Sequence, residues 1–274
     1  MLIVGERINA SRKAIRAALE QLDAEAIRRE AQLQTEAGAQ YIDVNGGTFP
    51  GREPELLAWL VEVVQSVTDR PLCLDSTDPD ALAAALPRIG ARPPMINSIT
   101  LETDRFARML PLVREHGAKV VALCQGAGGL ADTVQRKVEA ASRLVERLAA
   151  GGIALGDIYV DPLVFPVATD SGAGAAAIAA IGGIMRGFPG VHTICGLTNV
   201  SHGLPARKLL NRSFLVAAMS AGLDAVILDP ADRELMASLL ATNALLGHDD
   251  YCTELLRAYR AGRLEPQAAE KRTV

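Results

Sequence analysis

Apolar runs of strand length alternate with amphipathic stretches along the whole chain. The runs are apolar throughout rather than at every second position, which is typical of parallel strands covered on both faces. The stretches between them repeat apolar residues at helical spacing, as in PELLAWLVEVVQSV at 54–67 and RFARMLPLVREHG at 105–117. The pattern predicts eight strands, at residues 2–8, 41–47, 71–76, 94–99, 120–125, 158–164, 192–199 and 225–230.

Eight strand–helix units in roughly 250 residues match a (β/α)8 TIM barrel. We therefore predict an α/β fold with a single barrel domain over residues 1–262 and a flexible C-terminal tail at 263–274. A doubly wound parallel sheet is the alternative, but it would usually carry a GxGxxG loop opening a helix, and none occurs here. Helix-boundary residues support the barrel register, since Asp78 suits an N-cap and Gly38 and Gly117 follow predicted helices.

Composition and charge narrow the class of protein. Apolar residues make up 49% of the 274, aromatic residues only 4%, and the formal net charge is −4. Such a chain can build a large core of helices packed on strands, and it lacks the basic patches of nucleic-acid-binding proteins. No apolar run reaches the ~20 residues that span a bilayer, and the N-terminus lacks a basic leader. We expect a cytoplasmic protein that binds neither nucleic acid nor membranes, with its dispersed cysteines reduced.

Carboxylates and amides stand near the C-terminal ends of the predicted strands, where barrels of this class build their active sites. Taken singly, each could be a helix cap or a turn residue. Eight such ends together favour a binding site, because strand-to-helix joints also accept Ser, Thr and Gly. The residues at these ends are Glu6 and Asn9, Asp43 and Asn45, Asp75, Asn97, Gln125, Asp161, Asn199 and Asp229.

The residue types in this ring exclude several reactions. No lysine ends a predicted strand, which argues against a Schiff-base aldolase. The four histidines form no cluster with carboxylates, so we predict no bound metal, and the cysteines suit small buried positions. The loops after strands 7 and 8 lack the glycine-rich anion site of a phosphosugar enzyme. Acids and amides instead suit a flat, neutral, nitrogen-rich heterocycle, because a carboxylate can accept two adjacent N–H donors.

Eight short motifs together resemble one enzyme family. In this order they are similar to the methyltetrahydrofolate:corrinoid protein methyltransferases, pterin-binding barrels that include the folate domain of cobalamin-dependent methionine synthase. The resemblance covers about residues 1–260. The motifs are IVGERIN (3–9), IDVN (42–45), LCLDST (72–77), MINS (95–98), YVDPL (159–163), GLTNVS (196–201), LLNRSFL (209–215) and GLDAVI (222–227).

The resemblance implies a role for each matching position. Asp75, Asn97 and Asp161 would hold the pterin ring, and Asn199 would reach towards N5, which bears the methyl group. The remaining matches, which the resemblance places near the pocket as supporting residues, are Glu6, Asn9, Asp43 and Asn45. The sequence departs from the family at Thr198, where Ser is usual, and in the glycine-rich loops after strands 5 and 6.

The resemblance also implies the reaction and its partners. The substrate would be methyltetrahydrofolate or tetrahydrofolate, and the methyl group would move to or from the cobalt of a corrinoid, in a direction that the sequence leaves open. No DxHxxG stretch of the kind that supplies an axial histidine to cobalt occurs in the chain. We therefore expect a separate corrinoid protein that docks over the barrel mouth, and a homodimer formed through outer helices.

Two other functions remain as alternatives. Dihydropteroate synthase has the same barrel and pterin pocket, but it must bind a pyrophosphate leaving group and would show basic residues near strands 7 and 8. Here GLTNVS and ILDPAD stand at those places. A folate-binding accessory subunit without turnover would have the same pocket, so only an assay separates it from the enzyme.

Overall fold

The computed structural model describes residues 1–126 and 129–264 of the chain. The described residues form an eight-stranded parallel sheet in the order β8-β1-β2-β3-β4-β5-β6-β7. Its strands are Leu2–Asn9 (β1), Tyr41–Asn45 (β2), Leu72–Asp75 (β3), Met95–Ile99 (β4), Lys119–Leu123 (β5), Ile158–Asp161 (β6), His192–Thr193 (β7) and Ala225–Leu228 (β8).

The sheet closes on itself between β7 and β8. A parallel bridge joins Gly196 to Ile227, and the Ile227 N–H donates to the Cys195 carbonyl at 2.9 Å. These contacts join the two edge strands of the sheet. The predicted fold, a single α/β barrel, is therefore confirmed.

Helices cover the outside of the barrel and connect its strands. Two of them, α1 and α2, lie between β1 and β2, and α10 follows the helix after β8. The helices are Lys13–Gln21 (α1), Ala24–Glu36 (α2), Glu53–Gln65 (α3), Pro79–Ala85 (α4), Thr103–Glu115 (α5), Val134–Ala150 (α6), Ala173–Gly187 (α7), Arg207–Ser220 (α8), Arg233–Leu245 (α9) and Thr253–Arg260 (α10). Within the described ranges, no helix is long and apolar enough to cross a membrane.

The helix boundaries follow the local sequence. The Asp78 carboxylate accepts the Asp80 N–H and begins α4, and Gly38 and Gly117 adopt the left-handed backbone after α2 and α5. These three expectations are confirmed. Asp75, Asn97 and Asp229 do not cap the helices that follow them, since α4, α5 and α9 begin after Asp78, Glu102 and Asp232.

The barrel interior is filled by one apolar layer. Because side chains alternate along a strand, the residues two positions further on point to the same inward side, one layer nearer the C-terminal ends. This second layer, nearer the C-terminal ends of the strands, is polar and contains Glu6, Asp43, Asp75, Asn97 and Asp161. The apolar layer beneath it consists of Val4, Tyr41, Cys73, Met95, Val121, Tyr159, Ile194, Ala225 and Ile227.

Strand 7 is the main departure from the prediction. It ends at Thr193 rather than residue 199, and Leu197–Ser201 form a 3-10 helix. Ile194, Cys195 and Leu197 are buried, so their apolar pattern resembles that of a strand, but from Gly196 onward the backbone carbonyls accept hydrogen bonds from within the segment. The Asn199 N–H donates to the Gly196 carbonyl at 3.3 Å. Asn199 therefore lies in a 3-10 helix, and the prediction that it ends a strand is wrong.

Other strands also end earlier than predicted. Strand β6 ends at Asp161, because Leu163 takes a left-handed conformation (φ 60°) and donates its N–H to the Asp161 carboxylate at 2.7 Å. Strand β5 ends at Leu123, and Gln125 pairs instead with Leu130 in a short antiparallel ribbon. Strands β2, β3 and β8 end at residues 45, 75 and 228. Of the predicted tail at 263–274, residues 265–274 lie outside the described residues.

Candidate active site

The inward polar layer brings together five of the predicted site residues, each from a different strand. Glu6, Asp43, Asp75, Asn97 and Asp161 stand at the C-terminal end of the barrel, directly above the apolar layer. The site is therefore a polar floor on an apolar base, closed to water from below. Its carboxyl groups are close enough to perturb one another electrostatically.

Asp43 is the most deeply buried of these residues, with 2% of its surface exposed. Burial raises the pKa of its carboxyl well above the ordinary range, and the charges of Asp75 and Glu6 raise it further. Its Oδ1 atom is buried without a hydrogen-bond partner among the described residues. Burial of this kind favours the protonated form of the carboxyl, and that form can donate a hydrogen bond to a ligand on the floor.

Asp75 is oriented by Asn45. The Asn45 side-chain amide donates to the Asp75 carboxylate at 3.0 Å and to the Asp75 backbone carbonyl at 3.1 Å, while its own oxygen accepts the Gly47 N–H. Burial raises the pKa of Asp75 to about 6, and the hydrogen bond from Asn45 acts in the opposite direction. Asp75 is therefore largely ionised at pH 7 and can accept two N–H donors. Asn45 therefore fixes the orientation of the Asp75 carboxylate.

Asp161 occupies the opposite side of the layer and is 9% exposed. Burial raises the pKa of its carboxyl to about 6, while the Leu163 N–H, the charge of Lys137 and the Gly196 N–H hold it down. The backbone at Gly196 belongs to the segment after β7. Asp161 therefore links the end of β6 to the segment that carries Asn199.

Glu6 faces the same segment from strand β1. Burial raises the pKa of Glu6 to about 7, with Asp229 adding to the rise and Arg12, Arg207 and the Thr198 hydroxyl opposing it. Among Glu6, Asp75 and Asp161, Glu6 is the carboxyl whose pKa lies nearest to neutral pH. It stands beside the residue that precedes Asn199 in the chain.

Asn199 is exposed, and its side-chain amide makes no hydrogen bond to any residue in the described ranges. A methyl group on Gly196 would come within 3.1 Å of the Asn199 Nδ2 atom, so the glycine leaves space for the Asn199 amide. Arg207 anchors the 3-10 segment from helix α8, donating to the Thr198 carbonyl at 3.0 Å and to the Ser201 hydroxyl at 3.1 Å. An anchored segment thus presents an amide with free donor and acceptor atoms.

Three residues of the predicted ring have other contacts. The Asn9 side-chain oxygen accepts the Ser11 N–H at 3.0 Å in a local turn. The Asp229 carboxylate accepts the Arg7 guanidinium at 2.8 Å and the Ala231 N–H at 2.9 Å. Gln125 is exposed on the short ribbon after β5. These contacts stabilise the rim of the site.

Sequence reasoning missed Arg105, a partly buried cation in the first turn of α5. Its Nη2 atom donates to the Ser98 carbonyl at 2.8 Å, and its Nε atom is buried without a described partner. Its charge lowers the pKa of Asp75. The only sequence signal was a cation near a helix N-terminus, where the helix dipole disfavours one.

The sequence predicted no bound metal ion among the residues of this site. Within residues 1–126 and 129–264, no group of three or more His, Cys, Asp or Glu side chains is arranged to hold a metal ion.

Comparison with known proteins adds relatives in sequence and in fold. The sequence model described as "Pterin binding enzyme" matches residues 5–229. The chain is 37% identical over 272 residues to the methylcorrinoid:tetrahydrofolate methyltransferase of Eubacterium limosum, covering 98% of this chain and 100% of that protein. It is also 37% identical over 242 residues to the methionine synthase of Mycobacterium tuberculosis, covering 83% of this chain but 20% of that longer protein.

Solved structures of similar fold include dihydropteroate synthases. The Yersinia pestis enzyme with a sulfonamide drug complex has a TM-score of 0.70 at 16% identity, covering 90% of this chain and 94% of that chain. The Xanthomonas albilineans enzyme in complex with 7,8-dihydropteroate has a TM-score of 0.67 at 19% identity, covering 89% and 93%. At such low identity, this likeness concerns the fold alone.

Proposed function

The chain belongs to the family of pterin-binding enzymes, and from that premise we propose that it moves a methyl group between N5 of methyltetrahydrofolate and the cobalt of a corrinoid carried by a separate protein. The observation that carries the proposal is the full-length match to a methylcorrinoid:tetrahydrofolate methyltransferase. The polar floor at the C-terminal end of the barrel supports it. The name of that relative favours transfer from the methylcorrinoid to tetrahydrofolate as the physiological direction.

The floor suits the pterin ring. The ionised Asp75 would accept the adjacent N–H donors of the aminopyrimidinone edge, and Asp43 in its protonated form would donate to a ring acceptor. Asn97 and Asp161 would bind the remaining edge, where an amide can both donate and accept. Buried polar groups of this kind discriminate strongly, because a wrong ligand leaves them unpaired.

Asn199 would act at N5. A tertiary amine is a poor methyl donor, so N5 must leave as a neutral nitrogen, which requires a proton or a strong hydrogen bond. The free Asn199 amide can donate that bond, and the bond strengthens as the methyl group departs. The same contact assists the reverse transfer, since both directions share one transition state. When bound, the corrinoid supplies the cobalt that accepts or gives the methyl group.

The proton for N5 would be held by Glu6. Methyl transfer away from the folate consumes one proton, and the reverse transfer releases one. Glu6 faces the Thr198 hydroxyl beside Asn199, and its pKa of about 7 allows either protonation state near neutral pH. Asp43, Asp75 and Asp161 would remain committed to the ring edges.

The proposal extends to the docking partner, the location and the oligomeric state that the sequence led us to expect. The corrinoid protein would dock over the mouth, where Asn199 is exposed. The protein would be a cytoplasmic homodimer that pairs through outer helices.

A methyl-transfer assay tests the function. Purified protein is mixed with methyltetrahydrofolate and reduced free corrinoid, and the cobalt absorption spectrum is followed, with the reverse mixture run in parallel. We expect transfer well above the protein-free rate in both mixtures. Binding of methyltetrahydrofolate without any gain in rate would support the accessory-subunit alternative. Formation of dihydropteroate from a pterin pyrophosphate and p-aminobenzoate would support the synthase alternative.

A further inference from the structure

Lys137 is buried beside the site, although nothing in the sequence pattern singled it out. It lies in the first turn of α6 and is 1% exposed, which makes it one of the largest fully buried side chains in the described residues. Lysine is almost never buried to this extent unless its charge is compensated. Lys137 makes no ion pair with a described carboxylate, so the compensation must come from other groups.

Backbone carbonyls and an aromatic ring supply it. The Lys137 Nζ atom donates to the Pro162 carbonyl at 2.7 Å and to the Leu163 carbonyl at 2.7 Å. It also lies 4.7 Å from the centroid of the Phe165 ring. An ammonium group has three N–H donors and no acceptor, and these three contacts all come from the loop after β6.

The two carbonyls belong to the turn that orients Asp161. Leu163 is left-handed there (φ 60°), a conformation that is unfavourable for leucine, and its N–H donates to the Asp161 carboxylate at 2.7 Å. Lys137 therefore fixes both carbonyls of a turn that would otherwise relax. A continuous chain of hydrogen bonds runs from the ammonium group through this turn to the carboxylate.

Lys137 also acts on the charge of Asp161. Besides Lys137 from α6, the groups that face this carboxylate are the Leu163 N–H, the Gly196 N–H, and the buried thiols of Cys124 after β5 and Cys195 after β7. Burial raises the pKa of Asp161, and Lys137 is the cation that opposes the rise.

We propose that Lys137 is a positioning residue of the substrate site, which holds Asp161 ionised and aimed at the pterin by clamping the turn after β6. The proposal rests on the proposed function, because Asp161 is taken to bind the folate substrate. Lys137 itself does not touch the substrate. A lysine with only a structural role would contribute to stability without affecting how binding depends on pH.

The test compares Lys137→Met with Lys119→Met as a matched control. Lys119 is partly buried and donates a hydrogen bond to Asp157 at 3.1 Å, but it begins β5 at the opposite end of the barrel. Calorimetry would measure affinity for methyltetrahydrofolate from pH 5.5 to 8.5, and thermal melting would be recorded on the same samples.

Removing the cation raises the pKa of Asp161, so ionisation requires a higher pH. If the pKa of Asp161 rises by about one, affinity for methyltetrahydrofolate falls by about tenfold at the acidic end of the pH range and stays closer to wild type at pH 8.5. We expect this shift for Lys137→Met and a wild-type pH profile for Lys119→Met. If Lys137→Met does not fold, Lys137→Gln keeps donors for the carbonyls without the charge, and the same shift is expected.

An unchanged pH profile in a folded Lys137 variant would overturn the positioning role, even if its melting temperature fell. Absence of methyltetrahydrofolate binding by the wild-type protein at every pH would instead refute the proposed function, and this role with it.

Discussion

At the scale of single residues, the site is controlled by burial of acids. Burial raises the pKa of Glu6, Asp43, Asp75 and Asp161, which all lie in one layer. A floor of this kind repels anions and favours binding of a neutral ligand that donates N–H hydrogen bonds.

Binding of methyltetrahydrofolate should depend on Asp75 more than on Asn199. A charged hydrogen-bond partner that accepts two N–H donors in a water-poor floor contributes roughly 1.5–3 kcal/mol, more than an exposed amide at the far edge of the ring. Calorimetric titration of Asp75→Ala, Asn199→Ala and the control Asp69→Ala, an exposed carboxylate near the N-terminal end of β3, measures the difference. Equal affinity in the first two variants would contradict the assignment of Asp75.

Turnover should depend on Asn199. Removing a donor whose bond strengthens in the transition state typically slows the chemical step by roughly 10²–10³-fold. Because the Asn199 side chain is exposed and makes no hydrogen bond within the described ranges, Asn199→Ala should melt as wild type does. Single-turnover methyl transfer to reduced corrinoid checks the rate. Transfer within about threefold of wild type, far below such a donor effect, would leave Asn199 as a turn residue only.

Glu6→Gln should change how stability depends on pH. The pKa of Glu6 is raised from 4.5 to about 7 in the folded protein, so folding favours its protonated form. That contribution is fully present below pH 4.5 and is lost as the pH rises through 7. Gln resembles the protonated acid, so the variant should gain stability over wild type above pH 7, on the order of 3 kcal/mol, and no gain at pH 4.

Urea denaturation of both proteins at pH 4, 6 and 8 measures this difference in unfolding free energy. Comparing variant with wild type cancels most of the effect of the other buried acids. A constant difference across this range would show that Glu6 is not strained by burial.

At the scale of elements, the decisive feature is the 3-10 segment Leu197–Ser201. Its position depends on helix α8, because Arg207 at the start of that helix bonds the Thr198 carbonyl and the Ser201 hydroxyl. The segment is short and has few bonds of its own, so a loss of this anchor would let the Asn199 amide move from its present position.

Arg207→Met should therefore slow methyl transfer. A misplacement of about 1 Å costs up to roughly 100-fold, so a loss of about 10- to 100-fold in kcat is expected with little change in melting temperature. The control is Lys208→Met, the next residue, whose side chain is 73% exposed and lies 3.6 Å from Asp232. Equal kcat values for the two variants would mean that the anchor is unnecessary.

At the scale of the whole molecule, one outer face carries apolar side chains in contact with solvent. Helices α8 and α9 pack together, and α10 packs on α9. On and between them, Leu245 is 84% exposed, Tyr251 97% and Tyr259 68%. Exposed apolar groups of this size are typical of surfaces that pair with another protein.

We expect this face to contribute to a homodimer. Light scattering at micromolar concentration should give about twice the chain mass, because pairing would cover the apolar side chains in a symmetric interface. The variant Leu245→Lys/Tyr259→Lys should shift the equilibrium towards the monomer. A wild-type mass near 28.9 kDa would contradict the prediction.

The amino-acid sequence by itself determined the barrel and most of its inward polar layer. Apolar runs and helix caps are local signals, and Asp78, Gly38 and Gly117 stand where such signals place them. The inward layer was predictable for a similar reason: each strand places every second residue on the same side, and parallel strands end together. Glu6, Asp43, Asp75, Asn97 and Asp161 could therefore be identified without coordinates.

Only the tertiary structure decided where the chain leaves the barrel wall and which charges are compensated. Strand 7 ends early because the segment after it folds into a 3-10 helix that the Arg207 side chain on helix α8 bonds, while its apolar residues are buried either way. The buried Lys137 and the Asp229–Arg7 pair depend likewise on partners from other elements. A local pattern reports burial, but the partner of a buried polar group depends on the packing of distant segments.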